Sequence, residues 1–139
     1  MVRPRNTSEV SLVLARCHAA RQPVVVQGGL TRLSRGATPR SGEVALSMER
    51  FRGIVALDVG GCTLTAAAGT PLAENQKAAE LAGLMFPLDL GSHGSCTIGG
   101  IVATARVATE LCVTARRRAW LLDWKPCSPT APSYRPWQS

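Results

Sequence analysis

The sequence predicts an α+β fold: a small helix-and-strand unit, then the start of an antiparallel sheet, then an irregular tail. Three observations carry that reading. Val10, Val13, Leu14 and Cys17 recur at helical spacing, and the β-branched run Val24 to Val26 follows them. Ile54 to Asp58 and Cys62 to Ala68 are strand-like runs joined only by Val59-Gly60-Gly61, which favours a hairpin. The chain has 139 residues, 45% of them hydrophobic, so it forms one domain at most and buries only a small core.

The elements follow in order. Asn6, Thr7 and Ser8 offer an N-cap for a first helix ending near Ala20, and His18 reads as a surface residue on it. Pro23 precedes the strand Val24 to Gln27. Glu43 to Ser47 reads as a second strand, and Met48 to Arg52 as a short turn or helical piece. After the hairpin, Thr70 is expected to cap a second helix with Pro71 at its first position. Leu72, Gln76 and Ala79 share a face of that helix, and Gly83 closes it. Leu84 to Phe86 is expected to form a short strand.

Two glycine stretches stand out. The first strand ends in Gly28-Gly29, followed by Thr31 and Gly36-Ala37. A strand that breaks into glycines brings backbone close to a neighbour, because a side chain there would collide. Successive N–H groups in such a turn can point at an anion. Alone, Gly-Gly after a strand is compatible with a simple turn. The second stretch, Pro87 to Gly100, reads Pro-Leu-Asp-Leu-Gly-Ser-His-Gly-Ser-Cys-Thr-Ile-Gly-Gly and has four glycines, three hydroxyl side chains and no Lys or Arg. Two such loops suit a ligand with an extended phosphate backbone gripped from both sides.

This pair of motifs, in this order and spacing, resembles the FAD-binding domain of the vanillyl-alcohol oxidase type. Within that family it is similar to the FAD-linked D-lactate dehydrogenases and glycolate oxidase subunits. The resemblance runs from about Val2 to Thr104. It implies a partial FAD-binding domain over residues 1–104, with a first subdomain at 1–52 and the start of a second at 53–104. It also implies that FAD lies between the loops with its pyrophosphate on their backbone N–H groups. The matching positions are Gln27, Gly28, Gly29, Thr31 and Leu33 in the first loop, with Leu30 and Arg32 between them also expected to line the cofactor. In the second they are Pro87, Gly91, Ser95, Thr97, Ile98, Gly99 and Gly100. Leu30, Arg32 and Arg35 stand where the family often has glycine. The expected reaction of an intact member is oxidation of a 2-hydroxy acid to a 2-keto acid. The family carries its substrate-binding and catalytic residues in a later domain, so no catalytic residue is assigned and this chain alone is expected to have no turnover. His93 reads as a solvent-facing loop residue. The sheet begun at Ile54 is expected to keep a raw edge prone to aggregation.

After Gly100 the composition breaks. All thirteen glycines lie at or before Gly100, while Trp120, Trp124, Trp137 and Tyr134 all lie after Thr104. The family would continue with Asn-x-Ala-Thr-Asn-Ala-Gly-Gly-Asn and then Arg-Tyr-Gly; this chain has Ile101 in place of the first Asn, keeps Ala103-Thr104 and then departs. The genetic code supplies a reason. When the third base of each codon is joined to the first two of the next, Ala105 to Thr109 can encode Ala-Gly-Gly-Asn. Glu110 to Ala115 can encode Ala-Val-Arg-Tyr-Gly, and Asp123-Trp124-Lys125 must encode Leu-Glu. Residues 105–139 therefore read as an out-of-frame tail with no domain of its own.

Charge and cysteines bound the remaining possibilities. The formal charge is +7; residues 1–105 hold ten basic and seven acidic residues, and residues 106–139 hold six and two. Arg116-Arg117-Arg118 beside the tryptophans allows an alternative reading, a small basic nucleic-acid-binding protein using phosphate contact and stacking. The frame reading makes that composition accidental, so no specific nucleic-acid partner is expected. Five scattered cysteines without a Cys-x-x-Cys pair argue against a zinc site or disulfide framework and fit free thiols in a reducing cytoplasm. The N-terminus has no apolar core that would mark a signal peptide, and no stretch is long and apolar enough to span a membrane.

Overall fold

The computed structural model describes residues 1–31, 36–88, 90–104 and 127. Helix α1 covers Thr7–Ala19. The side chain of Asn6 starts it by accepting a hydrogen bond from the Glu9 N–H at 2.9 Å, which satisfies a donor that the helix itself leaves unpaired. Strands β1 (Val24–Gln27) and β2 (Val44–Ser47) pair in parallel, Val24 opposite Val44 and Gln27 opposite Ser47. Val2 adds a parallel bridge on the other side of β2, its N–H donating to the Ala45 carbonyl and its own carbonyl accepting from Ser47. Leu46, Pro4 and Val10 are the most deeply buried apolar residues of this half.

Strands β3 (Ile54–Asp58) and β4 (Thr63–Ala66) form the antiparallel hairpin, with a register irregularity between Ile54 and Ala56. Cys62 belongs to the turn, at φ 50°, and not to the strand. Val55 is 73% exposed and Ile54 38%, so β3 keeps apolar surface open. Helix α2 is Leu72–Leu81, closed by Gly83 at φ 73° as its position after the helix predicts. A final helix, α3, covers Ile98–Thr104.

Three expectations are corrected. Thr70 does not cap α2: its hydroxyl accepts from the Gly53 N–H at 2.9 Å and lies 3.1 Å from the Gly53 carbonyl. The first N–H groups of α2 are satisfied instead by carbonyls of the second glycine stretch, Leu72 to Cys96 and Ala73 to His93. Leu84 to Phe86 joins no sheet; Phe86 packs against the core formed by Leu72, Leu88, Cys96 and Ile101, so burial of side chains and not strand pairing fixes this segment. The second glycine stretch also ends as a helix, because Ile98, Ile101 and Val102 have helical spacing that the intervening Gly99-Gly100 obscured.

Residues 67–70 join the two halves. Ala67 donates to the Gly53 carbonyl and Gly69 to the Phe51 carbonyl, while Ala68 and Thr70 accept from Gly99 and Ile98 at the start of α3. Gly69 lies so close to the Met48 and Phe51 carbonyls that no side chain fits there.

Candidate functional site

The two glycine stretches meet. A Cβ built on Gly28 would stand 2.7 Å from the Thr97 hydroxyl and 3.9 Å from the Gly100 Cα. One built on Gly29 would fall on the Ser95 carbonyl group, 2.6 Å from its carbon and 3.0 Å from the Cys96 Cα. The glycines are therefore needed for the loops to touch each other, a requirement that comes before any ligand.

The first loop leaves the sheet where β1 ends. Gln27 is buried, and its side-chain amide donates to the Ala37 carbonyl at 2.9 Å, closing the loop across its base. Among the described residues, the backbone N–H groups of Gly28, Gly29 and Leu30 have no protein acceptor. Leu30 lies in the left-handed region at φ 52°. A change of backbone hand within such a turn directs successive N–H groups to one side, which makes an anion cradle. Glycine adopts this conformation at no steric cost, which accounts for the family's preference at a position where this chain has leucine. Thr31 is half-buried; Arg32 and Leu33 lie outside the described residues, as do Arg35 and the Arg/Trp-rich tail.

The second loop is arranged differently. Ser95 and Cys96 both donate to the Ser92 carbonyl, and Ile98 and Gly99 to Thr70 and Ala68. Gly100 donates weakly to the Thr97 hydroxyl at 3.4 Å. Most of its backbone donors are thus spent within the protein. Thr97 is buried, Ile98 packs on the core, and Gly99 lies 2.8 Å (from a built Cβ) from the Ala68 methyl. Pro87, Gly91 and Ser95 are exposed, and a side chain at Gly91 would meet open space. His93 is exposed, with its ring 3.2 Å from the Leu90 carbonyl. The two loops therefore differ: N–H groups of the first lack a protein acceptor among the described residues, and the second packs directly behind its glycines.

Sequence reasoning missed Thr70, Ala68 and Gly69 as the support of the second loop. It also missed Asn75, fully buried on α2, whose amide nitrogen donates to the Pro71 carbonyl at 2.7 Å while its Oδ1 has no partner. A Gly-Thr-Pro run before a helix reads as a cap, and nothing local signals that a hydroxyl will turn to Gly53 instead.

A family described as FAD binding domain matches residues 1–116, most of the chain. The chain belongs to this FAD-binding family. Its cofactor is FAD, and the first loop fits that group: its N–H donors without a protein acceptor among the described residues suit a pyrophosphate. The chain is 36% identical over 122 residues to a D-2-hydroxyglutarate dehydrogenase of Xanthomonas citri pv. viticola, covering 88% of this chain and 26% of that protein. It is 41% identical over 105 residues to a mitochondrial D-2-hydroxyglutarate dehydrogenase of Bos taurus, covering 75% of this chain and 19% of that one. A solved structure of alkyldihydroxyacetonephosphate synthase superposes with a TM-score of 0.85 at 21% identity, over 96% of this chain and 25% of that one, which shows the shared fold. The FAD-binding chain thus spans about a quarter or less of these proteins.

Among the described residues no helix is long and apolar enough to cross a membrane. Among the described residues, Cys17, Cys62 and Cys96 are free thiols.

Proposed function

We propose that this FAD-binding chain is the cofactor-holding part of a flavoprotein that oxidises a 2-hydroxy acid to the 2-keto acid. The observations supporting it are the contact between the two glycine loops and the N–H groups of Gly28, Gly29 and Leu30, which have no protein acceptor among the described residues. These three groups hold the pyrophosphate. Gln27 fixes the loop base, and Thr97, Gly99 and Gly100 fix the wall behind it. Thr31, Arg32 and Leu33 complete the first loop, and Pro87, Gly91, Ser95 and Ile98 complete the second, as the family resemblance implies.

Bound flavin supplies the hydride acceptor, and the protein supplies placement. The substrate class is a small D-2-hydroxy acid. Relatives bearing the name D-2-hydroxyglutarate dehydrogenase make 2-hydroxyglutarate the first to test, with D-lactate and glycolate beside it. Substrate-binding and catalytic residues lie in a part of such enzymes that this chain does not span, so the chain alone has no turnover. Residues 105–139 are translated out of frame. Any nucleic-acid binding by their arginines is weak and lost at moderate salt. The free thiols support a reducing compartment, the cytoplasm.

The test is a titration of the purified full chain with FAD, read by flavin fluorescence and absorbance. Saturable binding that shifts the flavin spectrum is expected. A folded chain without saturable binding would overturn the reading. Codons after Gly100 that cannot yield Ala-Gly-Gly-Asn in the displaced frame would end the proposal for the tail.

A further inference from the structure

A second feature owes nothing to the glycine loops. An open, shallow depression of the surface is lined by Arg5, Glu49, Arg50 and Arg52, all four exposed. The topology assembles it. Val2 runs parallel to β2, and β1 runs parallel to β2, so all three segments leave the sheet at the same edge. Val2 leads into Arg3 and Arg5, and β2 leads through Met48 into Glu49, Arg50 and Arg52.

The charge there is not balanced. Glu49 is taken by Arg3, with Nε to Oε1 at 2.7 Å. The Glu9 carboxylate accepts the backbone N–H of Arg5 at 2.7 Å. Arg5, Arg50 and Arg52 make no ion pair among the described residues. Three guanidinium groups around one depression offer paired donors that match carboxylate or phosphate oxygens. Among the described residues the lining has no aromatic or aliphatic side chain to hold a base or an acyl chain.

We propose that Arg5, Arg50 and Arg52 form a binding site for a small polyanion, of phosphate or polycarboxylate chemistry. The proposal does not rest on the flavin reading, and a chain that failed to bind FAD would leave it standing. The test is calorimetric titration of the full chain with tripolyphosphate and, separately, with citrate; the tighter of the two identifies the chemistry. Arg50→Ala with Arg52→Ala should weaken binding about tenfold or more, since bidentate charged contacts are lost. Arg16→Ala with Arg40→Ala removes the same charge from exposed positions away from the depression and should change it less than about twofold, as isolated surface charges do. Circular dichroism should match for all chains. Glu49→Gln releases Arg3 and should tighten binding. Arg50→Lys with Arg52→Lys keeps the charge and should still weaken binding. No measurable binding, equal losses in the two double-alanine chains, or full binding by the double-lysine chain would each overturn the site.

Discussion

The Cα of Gly29 faces the carbonyl of Ser95 so closely that a methyl group there would overlap it. This one relationship ties the loop that follows β1 to the loop whose carbonyls cap α2, across 66 positions of sequence (95 − 29). Gly29→Ala should therefore destabilise the chain, by about 1–3 kcal/mol on the scale of forced overpacking. It should also abolish saturable FAD binding, because the first loop can no longer seat against its wall. Thermal melting and flavin titration on the same sample would check both.

The glycines should rank by what surrounds them. Gly69 is pressed against the Met48 and Phe51 carbonyls, Gly99 has Ala68 atoms at 2.8 and 2.9 Å from a built Cβ, and Gly91 has nothing within 4 Å. Alanine at Gly69 should cost the most stability, at Gly99 less, and at Gly91 almost nothing. A urea midpoint series would read the order, and a Gly91→Ala chain as unstable as Gly69→Ala would contradict it.

The β1–β2 unit, the hairpin and both longer helices were legible because each announces itself locally, through spacing, β-branching or a closing glycine. The loop contact was not, because a glycine needed against the Ser95 carbonyl looks the same in sequence as one needed against a ligand. Thr70 misled for a related reason. Its neighbour Pro71 marks a helix start, but the hydroxyl is drawn to Gly53, and the cap comes from Cys96 and His93 carbonyls distant in sequence. The short helix α3 was hidden because Gly99 and Gly100, poor helix formers, occupy its first turn; a side chain at Gly99 would run into Ala68.

Leu30 holds a left-handed backbone without glycine's freedom. Leu30→Gly removes a steric penalty of roughly 1–2 kcal/mol, partly offset by the greater freedom of an unfolded glycine, about 0.5–1 kcal/mol. The side chain is 48% exposed, so little packing is lost. The variant should melt at the same or a slightly higher temperature and bind FAD at least as tightly. Weaker FAD binding by a stable Leu30→Gly chain would show that the leucine side chain itself contacts the cofactor.

Thr70 offers the sharpest test of how the halves are joined. It is fully buried, and its hydroxyl is the partner of the Gly53 N–H. Thr70→Val keeps the shape and removes that acceptor. An unsatisfied buried donor costs about 1–3 kcal/mol, so the loss should be of that size. Thr70→Ser restores the hydroxyl and should recover most of it, forfeiting only the burial of one methyl group, about 0.8 kcal/mol. Because residues 67–70 also receive the Gly99 and Ile98 N–H groups, the valine chain should loosen the wall behind the first loop and weaken FAD binding along with stability. Hydrogen exchange separates this from general unfolding: the Gly53, Ile98 and Gly99 amides should lose protection before those of β1 and β2. Uniform loss of protection across all of them would mean that the halves unfold as one and that Thr70 has no local role.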